Sequence, residues 1–244
     1  MTYCVGMKLD KGLVFMSDTR TNAGVDNIST FRKMYTWSEP GERVIVLMAA
    51  GNLATTQSVV SILDERTKAP QERHQTLLAT PSMFQTARLV GDVVREVINA
   101  NAATGQRADS AFNATFILGG QIVGSEPRLF QIYPEGNFIE STSDTPFFQI
   151  GEHKYGKPII VRAYNKAMTF AEAAKLLLVS FDSTLKSNLS VGLPLDMAFY
   201  ERDTFKLGLQ KRIDRDDPYY RTISEGWSDA LRTAFSSLPI FPDI

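Results

Sequence analysis

Two histidines and one cysteine are all that 244 residues offer to the commonest forms of catalysis and metal binding. A single cysteine excludes an intrachain disulfide, and with His74 and His153 alone beside Cys4 no Cys/His zinc cluster can be assembled. A reducing compartment and no metal are therefore expected. Gly-x-Ser-x-Gly, His-Glu-x-x-His, P-loop and dinucleotide fingerprints are all missing, so no cofactor is expected and any nucleotide-driven step needs a separate partner. An excess of positive charge is missing too. With 26 Lys and Arg against 27 Asp and Glu, the chain lacks the basic stripe that nucleic-acid phosphates or an anionic membrane would require. No apolar run approaches the roughly 20 residues of a spanning helix. The opening Met-Thr-Tyr-Cys-Val-Gly-Met-Lys has no apolar stretch behind a positive one, so a secretory leader is not expected and a cytoplasmic location is.

What is present is a pattern of strands and helices suited to one core, and residues 1–244 are expected to form a single domain. Residues 2–9 and 12–18 alternate around Asp10-Lys11-Gly12, which predicts an N-terminal hairpin. Strands are predicted over 31–37 and 43–50. Asn52 can cap a following helix in which Leu53, Thr56, Val59, Val60 and Leu63 recur at helical spacing. A second helix is predicted over 81–102, with Thr80 as cap and Pro81 in the first turn. Short strands follow at 112–119, 127–133, 137–141 and 147–150. A helix over 170–186 opens on a Thr169/Glu172 capping box. Strands at 191–202 and 204–213 lead to a last helix at 218–235. Blocks of strands alternating with blocks of helices predict an α+β fold with antiparallel sheets. Two packed sheets flanked by helices, a four-layer αββα sandwich, would bury both sheets.

The chemistry must run without the usual base. His74 sits in a polar loop, and His153 has no serine elbow to serve. A hydroxyl residue at a free N-terminus escapes this requirement, because its own α-amine, with an ordinary pKa near 8, can act as the base. Thr2 qualifies once Met1 is removed, and threonine is small enough for that removal. Asp18 has a plain reading as an ion pair with Arg20 or Lys33, and Gly51-Asn52 one as a strand-to-helix turn. Cys4 shares a strand face with Thr2 by the period of two, but a buried cysteine behaves mostly as a small hydrophobe.

Thr2 to Gly6, Gly12 to Arg20, Lys33 before Met34, and Ala49-Ala50-Gly51-Asn52 heading a helix together resemble the proteasome-type β-subunit family of N-terminal-nucleophile (Ntn) hydrolases. Ser17 to Gly24 is similar to that family's Asp-x-Arg segment and its small-residue loop. The stretch Lys186 to Gly192 and Asp216-Asp217-Pro218 are most similar to the bacterial Anbu branch. The resemblance covers the pattern of essentially the whole chain. It implies the Ntn-hydrolase sandwich and a threonine peptidase, with Thr2 as nucleophile, Lys33 as the charge beside it, and Asp18 orienting Lys33. It further implies Gly51 as an oxyanion donor, Ser190 as a supporting hydroxyl, and the backbones of Thr21 and Ala23 as partners of an extended peptide. A self-compartmentalised homo-oligomer, ring or spiral, with its contacts on the first two helices, is implied as well. Its substrate would be a peptide or unfolded protein, delivered if needed by a separate ATP-dependent unfoldase.

Three positions depart from the family pattern. Lys33 stands one residue nearer Asp18 than usual, leaving Arg32 as the alternative register. Ser187 replaces an acidic partner of Ser190, and Gly151-Glu152 stands where a Ser-Gly pair orients the nucleophile. These departures keep two further readings open: a non-catalytic or weakly active assembly subunit, and an Ntn amidase acting on a specialised peptide or small amide.

Overall fold

A computed structural model describes residues 2–22, 28–68, 74–102 and 112–242. The N-terminal hairpin forms as its pattern dictates, with β1 (Tyr3–Leu9) antiparallel to β2 (Gly12–Asp18) and Cys4 opposite Ser17. β10 (Phe147–Gly151) adds to the free edge of β1, while β11 (Leu195–Glu201) and β12 (Gln210–Ile213) extend the sheet beyond β2. The second sheet runs β5 (Met34–Glu39), β6 (Arg43–Gly51), β7 (Ala114–Ile122), β8 (Arg128–Ile132) and β9 (Phe138–Glu140), also antiparallel throughout. A small ribbon of β3 (Arg20–Asn22) and β4 (Ile28–Thr30) links the two.

Side chains alternate across each strand, and here both faces are apolar because both are covered. In β1 and β2, Tyr3, Val5, Met7, Val14 and Met16 pack towards helices α3 (Lys157–Ala163), α4 (Phe170–Ser187) and α5 (Pro218–Ser236). Cys4, Leu13 and Phe15 turn the other way and meet Val44, Val46 and Met48 of β6 between the sheets. The opposite side of β6, Ile45, Leu47 and Ala49, packs under α1 (Leu53–Lys68) and α2 (Met83–Ala102). The result is the αββα sandwich. Among the described residues no helix is long and apolar enough to cross a membrane.

Local signals hold at two helix starts. Asn52 Oδ1 accepts the Thr55 N–H at 3.0 Å. Thr169 and Glu172 form the reciprocal capping box, with bonds of 3.2 and 2.8 Å. Elsewhere the structure corrects the sequence reading. The strand expected over 31–37 begins only at Met34, so Lys33 lies in the segment leading into β5 rather than mid-strand. Thr80 does not cap the second helix; it closes a 3-10 turn at Leu77–Ala79, and Ser82 Oγ accepts from Gln85 N–H at 3.3 Å instead. The seven-residue α3 was not legible, being too short for a helical period to show, and β12 starts at Gln210 rather than 204.

Candidate active site

Thr2 immediately precedes β1 and, by the period of two, shares the side of Cys4, which faces the space between the sheets. Its carbonyl accepts the Glu152 N–H at 2.6 Å, which ties the chain start to the end of β10. That close approach is why Gly151 stands there. Its φ is +82°, and a Cβ on it would fall 1.9 Å from the Thr2 carbonyl oxygen.

Asp18 closes β2 and is fully buried. Its Oδ1 accepts from Tyr3 N–H at 3.0 Å and from Lys33 Nζ at 2.7 Å, and its Oδ2 accepts from Gly192 N–H at 3.3 Å. Lys33 Nζ also donates to the Arg20 carbonyl at 2.6 Å. Burial pushes the Asp18 carboxyl above its ordinary value, against the pull of the Lys33 ammonium and the two amides. The pairing settles the register: Lys33, not Arg32, meets Asp18. The two do not lie on adjacent strands. Asp18 ends a strand of the first sheet, while Lys33 leads into the second and meets it across the interlayer space.

Thr2, Thr21, Lys33, Gly51 and Gly151 line one cleft of about 550 Å³. Gly51 ends β6 at φ +120°, and a Cβ there would meet the Asn113 carbonyl at 2.2 Å. Ala23 lies outside the described residues. Ser190 is not among the described residues lining the cleft; its N–H donates to Asn188 Oδ1 at 2.9 Å in the loop after α4. His74 and His153 are exposed, and neither lines the cleft.

Sequence reasoning read Glu152 only as a departure, and it missed Asn188. Glu152 is buried, its Oε2 accepts from Asn188 Nδ2 at 3.0 Å, and its Oε1 accepts from Lys154 N–H at 3.1 Å. Ser187, by contrast, is exposed at the end of α4. A carboxylate from another loop, Glu152, thus reaches Asn188, the residue beside Ser187, and Asn188 in turn accepts from the Ser190 N–H. Together the loops 151–154 and 188–192 hold Thr2 and Asp18 from one side. No sequence signal pointed to this pairing, because the partners are 36 residues apart and meet only once the chain has folded.

A family model described as proteasome subunit matches residues 2–198. The chain belongs to the proteasome subunit family. Solved structures similar to it include Anbu proteins. An Anbu (Gly-1) mutant from Hyphomicrobium sp. strain MC1 is 56% identical, with 100% of each chain covered and a TM-score of 0.91. Anbu, the ancestral beta-subunit, from Yersinia bercovieri is 52% identical over 99% of this chain and 100% of its own, with a TM-score of 0.92. The subunit of a helical assembly of the Anbu complex from Pseudomonas aeruginosa is 46% identical over 99% of both chains, at a TM-score of 0.92. No curated protein matches the chain. The proteasome-type Ntn fold and the Anbu relationship therefore stand on overall structure as well as on motifs.

Proposed function

We propose that this proteasome-family subunit is a threonine peptidase whose nucleophile is Thr2 after removal of Met1. The observation that carries the reading is the buried Lys33–Asp18 pair opening, at Lys33, onto the same cleft as Thr2 and Gly51. In the first step the Thr2 hydroxyl attacks the scissile carbonyl and its proton passes to the freed α-amine, which then protonates the departing amine of the substrate. Water hydrolyses the ester left on Thr2 by the same relay. Lys33 favours the deprotonated hydroxyl and amine through its charge, and Asp18 holds Lys33 in place. Gly51 supplies a backbone N–H to the developing oxyanion, the Thr21 and Ala23 backbones align the peptide, and Ser190 braces the loop beside Asp18. The site sits on a 1–244 single domain and needs neither metal nor cofactor.

The Pseudomonas relative's helical assembly supports a homo-oligomer here as well, with peptide or unfolded protein as substrate and an unfoldase, if one acts, as a separate protein. A cytoplasmic location follows from the same reading. The test joins intact mass with an epoxyketone or β-lactone probe. Protein lacking Met1 is expected to gain one adduct on Thr2, and Thr2→Ala to gain none and to lose peptide hydrolysis. A chain that has lost Met1 and still forms no adduct overturns the enzymatic reading and leaves an assembly subunit.

A further inference from the structure

Glu152 stands against the candidate nucleophile as a buried carboxylate with no cation of its own. Its N–H donates to the Thr2 carbonyl at 2.6 Å, and its side chain is largely closed to solvent. Both carboxylate oxygens accept, Oε1 from the Lys154 N–H at 3.1 Å and Oε2 from Asn188 Nδ2 at 3.0 Å. A carboxyl group that accepts at both oxygens is in its ionised form. Both donors are neutral, and among the described residues no ion pair engages Glu152. Asn188 Oδ1 accepts from the Ser190 N–H, and Gly192 in the same loop donates to Asp18, which also holds the Tyr3 N–H. The hydrogen bonds thus close a circuit from Thr2 through Glu152, the 188–192 loop and Asp18 back to Tyr3.

The other charges around Thr2 are engaged elsewhere or lie at the surface. Lys33 is held by Asp18 and the Arg20 carbonyl, and the Arg20 guanidinium donates to the Leu189 carbonyl at 3.1 Å. Arg32 is exposed at the cleft rim, His153 and Lys154 face solvent, and burial keeps the Tyr35 hydroxyl neutral. Helix α1 brings only Leu53 and Thr56 to the cleft, neither of them charged.

We propose that Glu152 is a positioning residue for Thr2 whose carboxylate holds the freed α-amine in its charged form, so that the site turns on at a higher pH than it would beside a neutral side chain. This role rests on the peptidase reading above, in which the uncharged amine is the base. Lys33 and Glu152 therefore act on that amine with opposite sign.

The test follows the rate at which a neutral β-lactone labels Thr2 against pH, in the full chain with Met1 removed. Glu152→Gln removes the charge and keeps the shape. The midpoint of the acid limb is expected to fall by about 0.5–1 pH unit, the effect of one charge roughly 8–10 Å away at an effective dielectric of about 20–40. Labelling well below the midpoint then rises about threefold to tenfold, while the plateau at high pH falls as the bond to Asn188 weakens. Glu152→Asp retains the charge and is expected to keep the midpoint of the unaltered protein. Should Glu152→Gln fail to fold, Glu152→Ser supplies the neutral comparison. A lowered plateau with an unmoved midpoint in the neutral variant overturns the proposal and leaves the peptidase reading intact. Protein that has lost Met1 and labels at no pH overturns both.

Discussion

The Lys33 ammonium reaches the Asp18 carboxylate at 2.7 Å from the segment entering the opposite sheet, and both groups are nearly closed to solvent. A pair so placed is held by its surroundings, and removing one member strands the other charge in the protein interior. Asp18→Asn is expected to lower stability by about 3–5 kcal/mol, as other broken buried pairs do. Lys33→Met should do likewise. The double variant Asp18→Asn/Lys33→Met is expected to regain part of the loss, measured by denaturant unfolding. Additive losses would show that the pair is not coupled.

The pH dependence of hydrolysis should carry the mark of Asp18. Burial raises its carboxyl above the ordinary value, so falling pH protonates it earlier than a free aspartate, and Lys33 then loses its anchor. The Thr2 amine, as the base of the reaction, sets the first part of the acid limb of kcat/KM, and protonation of Asp18, displaced above the value of about 3.9 of a free aspartate, adds a second loss at lower pH, so the limb is expected to steepen beyond one proton. A limb that follows a single proton throughout contradicts an Asp18 role.

Gly151 is the position where one methyl group does most harm to the site. Both its positive φ and the 1.9 Å approach to the Thr2 oxygen oppose a side chain. Gly151→Ala is expected to cost at least about 1–3 kcal/mol from backbone strain alone. It should also weaken the Glu152–Thr2 bond, so probe labelling of Thr2 should slow more than tenfold, on the order of the loss of one positioning contact. Unchanged labelling would show that Thr2 is positioned without it.

Cys4 lies two residues from the proposed nucleophile yet is shut between the sheets, with Sγ directed at the Ala49 carbonyl at 3.8 Å. Burial pushes its thiol upward, with Asp18 adding to the shift. Native protein is expected to leave Ellman's reagent unreacted, and denatured protein to release one thiol per chain. Rapid reaction of the native form would mean the sandwich opens at this edge.

Much of this was legible locally. The poverty in histidine and cysteine leaves Thr2, whose base is its own amine, as the candidate nucleophile. The hairpin around Gly12, the Asn52 cap and the Thr169/Glu172 box involve residues three or four apart, whose geometry depends on backbone conformation alone. Lys33 on Asp18, Glu152 on Asn188 and Gly192 on Asp18 are different in kind. They join residues 15, 36 and 174 positions apart. Such contacts exist only once the two sheets have stacked and β10 and β11 have taken their register beside β1 and β2. Packing of the apolar faces, to which none of these polar groups contributes, sets that arrangement. Residue types and local punctuation therefore determined the sandwich and the candidate nucleophile, while the layering of the sheets decided which charges surround it.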